Sequence, residues 1–194
     1  KTFFIWPEGV FSGYSYNKIK IFKDLIKKNF STNHHIVLGM NTSDKNTDSF
    51  YNSLLLVNNR FEVVQQYNKQ KLVPFGEFLP FENLLNKFGL KKITEGHGSF
   101  QKGNKKISIK IDQLNFLPLI CYEVIFTSLI QRASPETNLI INISEDAWFG
   151  NTIGPEQHYA KSIFRAIENG TFLLRSANQG ISAIIDNKGV AIKQ

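Results

Sequence analysis

The sequence has a single cysteine, Cys121, in 194 residues. One cysteine cannot form a disulfide within the chain, so no internal disulfide can stabilise the fold. The cysteine content is compatible with a reducing or an oxidising compartment. No apolar run approaches the ~20 residues that a membrane-spanning helix needs, and the first residues show no signal-peptide pattern. We therefore expect the chain, as given, to fold in water as a single domain over residues 1–194.

Arginine is also scarce: only four of the 23 basic residues are Arg, although the net charge is +7. Specific binding of nucleic acid usually relies on the forked guanidinium group of Arg. The lysines instead recur at the spacing of one side of a helix, namely at Lys18, Lys20, Lys23, Lys27 and Lys28. We therefore expect no nucleic-acid partner. The charge indicates a solvated face, with attraction to an anionic membrane surface as the alternative.

The chain begins and ends inside segments that look like regular structure. It starts without Met in the strand-like segment Thr2–Trp6, and it stops at Gln194 just after the strand-like run Val190–Ile192. We therefore expect a fragment that is truncated at both ends.

Strand-like and helix-like segments interleave along the chain. Apolar β-rich runs predict strands at Thr2–Trp6, His35–Met40, Ser53–Val57, Phe61–Tyr67, Ile107–Ile111, Leu114–Ile120, Asn138–Ile143, Phe172–Ser176 and Ile181–Ile185. Helical spacing predicts helices at Ser15–Phe30, Phe81–Phe88, Ile125–Ala133 and Glu156–Glu168. Asn41–Ser49 and Lys69–Pro80 are predicted to be loops, and Asn58 and Asn59 are predicted to supply the left-handed geometry of a hairpin turn. The pattern predicts an α/β fold with helices covering its sheets.

Cys121 lies where an apolar run ends. Phe116–Ile120 reads as a short buried strand, and the polar residues Tyr122 and Glu123 follow Cys121 directly. A thiol at such a strand end can be held rigidly on one side while its sulfur faces a cleft, as a nucleophile requires. A lone cysteine is more often a small core residue, and that alternative stays open at this point.

Two further ionisable residues follow predicted strands. Glu8 lies beyond Thr2–Trp6, and Lys69 lies beyond Phe61–Tyr67. Ligands of α/β folds bind at the carboxyl ends of strands, so these two residues and Cys121 are expected to converge on one cleft. There Glu8 can take the thiol proton and Lys69 can stabilise negative charge on a substrate oxygen. Taken singly, Glu8 also fits a turn acid and Lys69 a surface residue.

The remaining candidates do not predict a cofactor or a metal. His34 and His35 are adjacent, which does not direct both rings to one ion, and no Cys or acid cluster surrounds them. The glycines Gly96, Gly98 and Gly103 lack the Lys-Ser/Thr of a phosphate-binding loop. We expect no cofactor and no metal.

Four long segments resemble one family. Glu8 in Trp-Pro-Glu, Lys69 in Tyr-Asn-Lys and Cys121 in Ile-Cys-Tyr-Glu look like the Glu-Lys-Cys triad of the nitrilase, or carbon-nitrogen hydrolase, superfamily. Within it the chain resembles the apolipoprotein N-acyltransferase family in its segments Leu72–Pro80, Ser144–Gly150, Gly154–His158 and Leu173–Ser182.

This resemblance implies a four-layer αββα sandwich and a ping-pong acyl transfer. Cys121 would take a fatty acyl chain from a phospholipid as a thioester, and the chain would pass to the N-terminal amine of an apolipoprotein whose first cysteine carries lipid. Glu8 would be the general base and Lys69 the stabiliser of the tetrahedral intermediate, with Glu77, Tyr122 and Glu123 in support. The resemblance also implies membrane segments flanking the domain and a place on the outer, periplasmic face of the bacterial inner membrane.

Two residues depart from the family's pattern, and other functions stay open. Lys71 stands where the family leads us to expect His, and Glu145 where it leads us to expect Asn. The alternatives are a soluble amidase or nitrilase that uses the same triad with water as acceptor, and a catalytically inactive interaction domain.

Overall fold

The computed structural model describes residues 1–11, 13–44, 46–47, 49–80, 99–104, 108–130 and 135–194. The predicted helix Phe81–Phe88 lies outside these residues, as do the ends of two other predicted elements at residues 107 and 131–133. The strands run over Thr2–Ile5 (β1), His34–Asp44 (β2), Ser49–Asn58 (β3), Val63–Asn68 (β4), Ile109–Ile111 (β5), Leu114–Ile120 (β6), Leu139–Glu145 (β7), Phe172–Asn178 (β8), Ala183–Ile185 (β9) and Ala191–Lys193 (β10).

The described strands form two sheets. One has four strands in the order β1-β2-β3-β4, and the other has six in the order β10-β9-β8-β7-β6-β5. Parallel pairing joins β1 to β2 and also joins β6, β7 and β8, whereas the other neighbours are antiparallel. Strands β1 and β6, which each have a parallel neighbour, end shortly before Glu8 and Cys121, and Lys69 follows the antiparallel strand β4.

The strands β2, β3, β6 and β7 contain continuous apolar runs because both of their faces are buried there. Successive side chains of a strand point to opposite faces. One set packs between the two sheets, and it comprises Val37, Leu54, Leu56, Tyr67, Ile109, Phe116, Ile120, Leu139, Ile141 and Ile143. This layer joins the sheets face to face.

The opposite faces of both sheets pack against helices. Ile19 of helix α1 (Tyr16–Ile19) and Ile26 of helix α2 (Lys23–Asn29) lie on the four-stranded sheet. Helices α3 (Thr127–Ile130) and α4 (Gly154–Asn169) cover the six-stranded sheet, to which α4 contributes Ala166. The order helix, sheet, sheet, helix is the predicted four-layer αββα sandwich.

Three local predictions were wrong. The helix expected over Ser15–Phe30 is divided into α1 and α2 by a 3-10 turn at Lys20–Phe22. The loop expected over Asn41–Ser49 is largely strand, because β2 and β3 continue their pairing out to Asp44 and Ser49.

The hairpin between β3 and β4 also differs from its prediction. The left-handed residue is Phe61, with φ of 58°, and not Asn58 or Asn59. Asn58 stabilises the turn through its side-chain oxygen, which accepts hydrogen bonds from the backbone N–H groups of Arg60 and Glu62 at 2.9 and 3.0 Å.

The remaining boundaries agree with their predictions to within a few residues. The five lysines that were predicted to lie on the solvated face of a helix are all exposed. Among the helices of the described residues, none is long and apolar enough to cross a membrane.

Candidate active site

Glu8 lies just beyond β1, close to the neighbouring strand β2. Gly39 of β2 allows this approach, because a Cβ atom at Gly39 would lie 2.8 Å from the Cα of Glu8. The Glu8 carboxylate accepts hydrogen bonds from Asn52 Nδ2 at 2.7 Å and from the backbone N–H of Glu145 at 3.1 Å. Its two oxygens are therefore held by residues of different sheets.

Lys69 follows β4 and is buried, with 2% of its side chain exposed. Its Nζ lies 3.0 Å from Glu77 Oε1 and 3.8 Å from Glu8 Oε1. Burial lowers the pKa of Lys69, but the nearby carboxylates of Glu8 and Glu77 outweigh it and raise that pKa above its usual value. Lys69 is thus a buried ammonium group that stays charged.

Glu77 lies on the loop that follows Lys69. Its Oε2 accepts a hydrogen bond from the backbone N–H of Val73 at 2.8 Å, and its Oε1 accepts one from Asn52 Nδ2 at 2.6 Å. The Asn52 amide therefore donates to Glu77 and Glu8 together, and it fixes the two acids on either side of Lys69.

Cys121 lies at the sharp end of β6. Its φ is 48°, a left-handed value that non-glycine residues seldom adopt, and a 3-10 helix starts at this residue and runs to Ile125. The Sγ atom lies 3.9 Å from the carbonyl oxygen of Glu145. Burial, together with the negative charge of Glu8, raises the pKa of the Cys121 thiol to about 12, although the charge of Lys69 opposes that shift.

Glu123 is fully buried and joins the Lys69 loop to the Cys121 turn. Its carboxylate accepts hydrogen bonds from the backbone N–H groups of Gln70 and Lys71, at 2.7 and 3.0 Å, and from that of Ile120 at 2.9 Å. The Tyr67 hydroxyl donates to the same group. Burial raises the pKa of Glu123 despite these bonds. Glu123 therefore connects the end of β4 to the end of β6, although these two strands belong to different sheets.

Tyr122 lies apart from this cluster. Its side chain is partly exposed, and its ring meets that of Phe126 edge-on at 5.7 Å. Of the six predicted site residues, the structure brings Glu8, Lys69, Cys121 and Glu77 together. It places Glu123 beneath them as a support, and it turns Tyr122 toward the surface.

The two residues that depart from the family's pattern occupy different places. The Lys71 ammonium lies over the Phe126 ring, 5.2 Å from its centroid. Glu145 lies within the site, because its N–H contacts Glu8 and its carbonyl contacts Cys121. The Glu145 side chain accepts hydrogen bonds from the N–H of Ala147 at 3.1 Å and from Asn178 Nδ2 at 2.6 Å.

Sequence reasoning missed Asn52 and assigned no role to Asp146, His158 and Arg175. Asn52 has a detectable signal, since strand alternation places this polar residue on the inward face of β3 beside Leu54 and Leu56. Asp146, His158 and Arg175 form a buried polar cluster behind Cys121. No local pattern brings these three together, because they come from separate elements.

Across the described part of the chain, the His, Cys, Asp and Glu side chains form no group of three or more that could hold a metal ion. The site combines an acid, an ammonium group and a thiol, which together suit proton transfer and nucleophilic attack on a carbonyl carbon.

Two curated relatives are apolipoprotein N-acyltransferases. That of Brucella melitensis is 41% identical over 148 residues, which cover 76% of this chain and 28% of the relative. That of Rhizobium leguminosarum bv. trifolii is 42% identical over 144 residues, which cover 74% of this chain and 27% of the relative. The matches thus take in just over a quarter of each relative's length.

The fold and the family are shown by two further comparisons. Saccharomyces cerevisiae Nit3, a member of branch 10 of the nitrilase superfamily, aligns with a TM-score of 0.67 at 18% identity, covering 99% of this chain and 71% of Nit3. At that identity the likeness shows a shared fold. The family model described as carbon-nitrogen hydrolase matches residues 4–194. Because that match takes in nearly the whole sequence, this protein belongs to the carbon-nitrogen hydrolase family.

Proposed function

We propose that this protein is an N-acyltransferase that moves a fatty acyl chain from a phospholipid to the N-terminal amine of an apolipoprotein. The observation that carries the proposal is the thiol of Cys121, held on a strained turn beside the Glu8–Lys69 pair. The names of the curated relatives support the choice of donor and acceptor.

Glu8 is the general base in this proposal. A thiol with a pKa of about 12 is neutral at physiological pH, so it is not a preformed thiolate. The attack therefore needs a group that removes the proton as the carbon–sulfur bond forms. Glu8 suits this role because its carboxylate is close enough to perturb the thiol and is fixed by Asn52 and the Glu145 N–H.

Lys69 stabilises the negative charge that develops on the substrate oxygen. It keeps its charge, and Glu77 holds it in place at 3.0 Å. A fixed cation in a buried site stabilises a transition-state oxyanion more strongly than a cation in water does. Glu77 and Glu123 act as supports, the first through Lys69 and the second through the backbone on both sides of the cleft. Tyr122, on the surface beside Cys121, is proposed to contact substrate.

The reaction then proceeds in two balanced halves. In the first, Sγ of Cys121 attacks the ester carbon, Glu8 accepts the thiol proton, and the lysophospholipid alkoxide leaves with that proton. In the second, the free amine attacks the thioester carbon and gives a proton to Glu8. The thiolate leaves and recovers a proton from Glu8, which releases the amide product and restores the enzyme.

The partners and the location in this proposal come from the resemblance to apolipoprotein N-acyltransferases. Both proposed substrates carry lipid, which agrees with a membrane location. The resemblance adds that the domain lies at the bacterial inner membrane, on its periplasmic face, anchored through segments outside this chain. If water rather than an amine resolves the acyl-enzyme, the same triad performs the hydrolysis expected of a soluble amidase or nitrilase.

The test is an intact-mass measurement on the protein expressed from its complete gene, after incubation with phospholipid. We expect a fatty-acyl adduct that hydroxylamine removes and that Cys121→Ser does not form. A second incubation with a lipid-modified peptide bearing a free N-terminal amine should transfer the adduct to that peptide. If folded protein forms no adduct, the proposal is wrong. An adduct lost to water and never passed to the amine identifies a hydrolase.

A further inference from the structure

A buried polar cluster behind Cys121 takes no part in the reaction as written above. Its centre is His158 on α4, a residue that is 3% exposed. The His158 Nε2 atom lies 3.2 Å from the carbonyl oxygen of Cys121. A carbonyl oxygen only accepts hydrogen bonds, so Nε2 must carry the hydrogen and donate it.

The other side of the His158 ring is fixed by a charged pair. Its Nδ1 lies 2.9 Å from Asp146 Oδ1 and 3.1 Å from Arg175 Nη2. Arg175 also donates to Asp146 Oδ2 at 2.7 Å, and the Ser144 hydroxyl donates to Asp146 Oδ1 at 2.6 Å. The imidazole is therefore held in one orientation by a network whose members are all buried.

The hydrogen bond from His158 restrains the backbone conformation of Cys121. Its φ of 48° is unfavourable for a residue with a Cβ atom, so surrounding contacts must hold it. Fixing the Cys121 carbonyl fixes the plane of the next peptide bond, and this restricts ψ of Cys121. With both torsions restrained, the Cα–Cβ bond of Cys121 keeps its direction instead of relaxing to an ordinary strand geometry.

We propose that His158 is a positioning residue for the nucleophile. Asp146 and Arg175 fix the orientation of the His158 ring, and the ring in turn fixes the Cys121 carbonyl through a hydrogen bond. This keeps the thiol in position relative to its base. This inference rests on the proposed role of Cys121 as nucleophile, and it adds a residue outside the Glu8, Lys69 and Cys121 triad.

Two substitutions separate the two halves of the ring. His158→Gln places an amide nitrogen near the position of Nε2 and can still donate to the Cys121 carbonyl. His158→Asn places its polar atoms near the position of Nδ1, so it can keep the contact with Asp146 but does not reach Cys121. Both lose one side of the network, which makes each a control for the other's loss of packing.

The measurement is the rate at which iodoacetamide alkylates Cys121 in the protein expressed from its complete gene, read from the mass of the peptide that contains Cys121. Thermal midpoints and the acylation rate with phospholipid are recorded for the same samples. Alkylation requires only a reactive thiol, so it reports on Cys121 whether or not phospholipid is the natural donor.

We expect His158→Asn to alkylate and acylate about tenfold more slowly than His158→Gln, the effect of one lost hydrogen bond. The phospholipid concentration that gives half of the maximal acylation rate should not change, because His158 is buried and contacts the Cys121 backbone. Equal rates in the two variants, or a rate that simply follows the thermal midpoint, would overturn the positioning role. A wild-type protein whose Cys121 alkylates but never takes an acyl chain contradicts only the proposed acyltransferase.

Discussion

Replacing Asn52 with leucine tests the arrangement of the two acids and Lys69. The substitution keeps the same branched arrangement of side-chain heavy atoms and removes an amide that donates to Glu8 at 2.7 Å and to Glu77 at 2.6 Å. Hydrogen bonds to charged groups contribute about 1.5–3 kcal/mol each. Glu8 keeps the Glu145 N–H, and Glu77 keeps the Val73 N–H, so neither acid is left without a donor.

The size of the effect follows from the bond that bears on the base. Only the contact to Glu8 acts on proton transfer, so we assign the rate loss to that one bond. A loss of about 1.5–3 kcal/mol corresponds to acylation of Cys121 that is roughly ten- to hundredfold slower. The contact to Glu77 should appear chiefly as a lower thermal midpoint, because it holds the loop that follows Lys69.

The assay is the time course of acyl-adduct formation by intact mass, with Gln66→Leu as the matched control. The Gln66 amide donates to Asn68 Oδ1 at 2.7 Å on an exposed face of the same sheet. Gln66→Leu should therefore change the rate by no more than about twofold. Asn52→Leu protein that acylates as fast as Gln66→Leu protein would refute the reasoning, because Glu8 would then not depend on the amide.

Four further variants test the site and its surroundings. Cys121→Ala should abolish adduct formation and transfer, whereas Lys71→His should leave both largely unchanged by mass analysis, because the Lys71 ammonium lies over the Phe126 ring. Gly39→Ala should lower both the thermal midpoint and the acylation rate, because the new Cβ would meet the Glu8 backbone at 2.8 Å. For Asp146, burial raises the pKa, but its hydrogen bonds and the nearby positive charge bring it below the ordinary value of 3.8. Its contribution to stability is therefore complete above pH 3.8 and lost as the pH falls through the folded-state pKa, so the thermal midpoints of wild type and Asp146→Asn should converge in acid.

The alternation of strand-like and helix-like segments was sufficient to predict an α/β fold with helices covering its sheets, whereas the four-layer order came from the family resemblance. Strands buried on both faces produce continuous apolar runs, which hydropathy detects without knowledge of their partners. The ends of these runs then mark the edges of the two sheets where Glu8, Lys69 and Cys121 lie.

The errors arose where a neighbour decides the local structure. Thr42 and Ser43 are polar, yet they form strand because β3 pairs with them and the Ser53 hydroxyl contacts Thr42 Oγ1 at 2.7 Å. In the region predicted as one helix, Ser15–Phe30, the apolar residues Ile19 and Ile26 are buried as their spacing predicts. The 3-10 turn at Lys20–Phe22, however, rotates each residue further about the helix axis than an α-helix does, so the apolar face is interrupted. Phe22 and Leu25 consequently remain exposed.

The cluster of Asp146, His158 and Arg175 shows a second kind of limit. Each residue is polar and sits in or beside a predicted element, which alone is consistent with the protein surface. Their burial follows from the packing of α4 on β7 and β8. Local patterns in a single sequence do not show that these distant segments pack together. Asn52 differs, because its place on an otherwise apolar face is readable from strand alternation.

The division of the site between two sheets also bears on the order in which the protein is made. Glu8 and Lys69 border strands β1–β4, whereas Cys121 borders β6 in the later half of the chain. During synthesis the proposed base and the ammonium group therefore leave the ribosome before the thiol exists. A chain whose second sheet has not yet docked holds a cysteine without its base, so in the proposed mechanism base-assisted acylation of Cys121 is confined to molecules that have completed their fold.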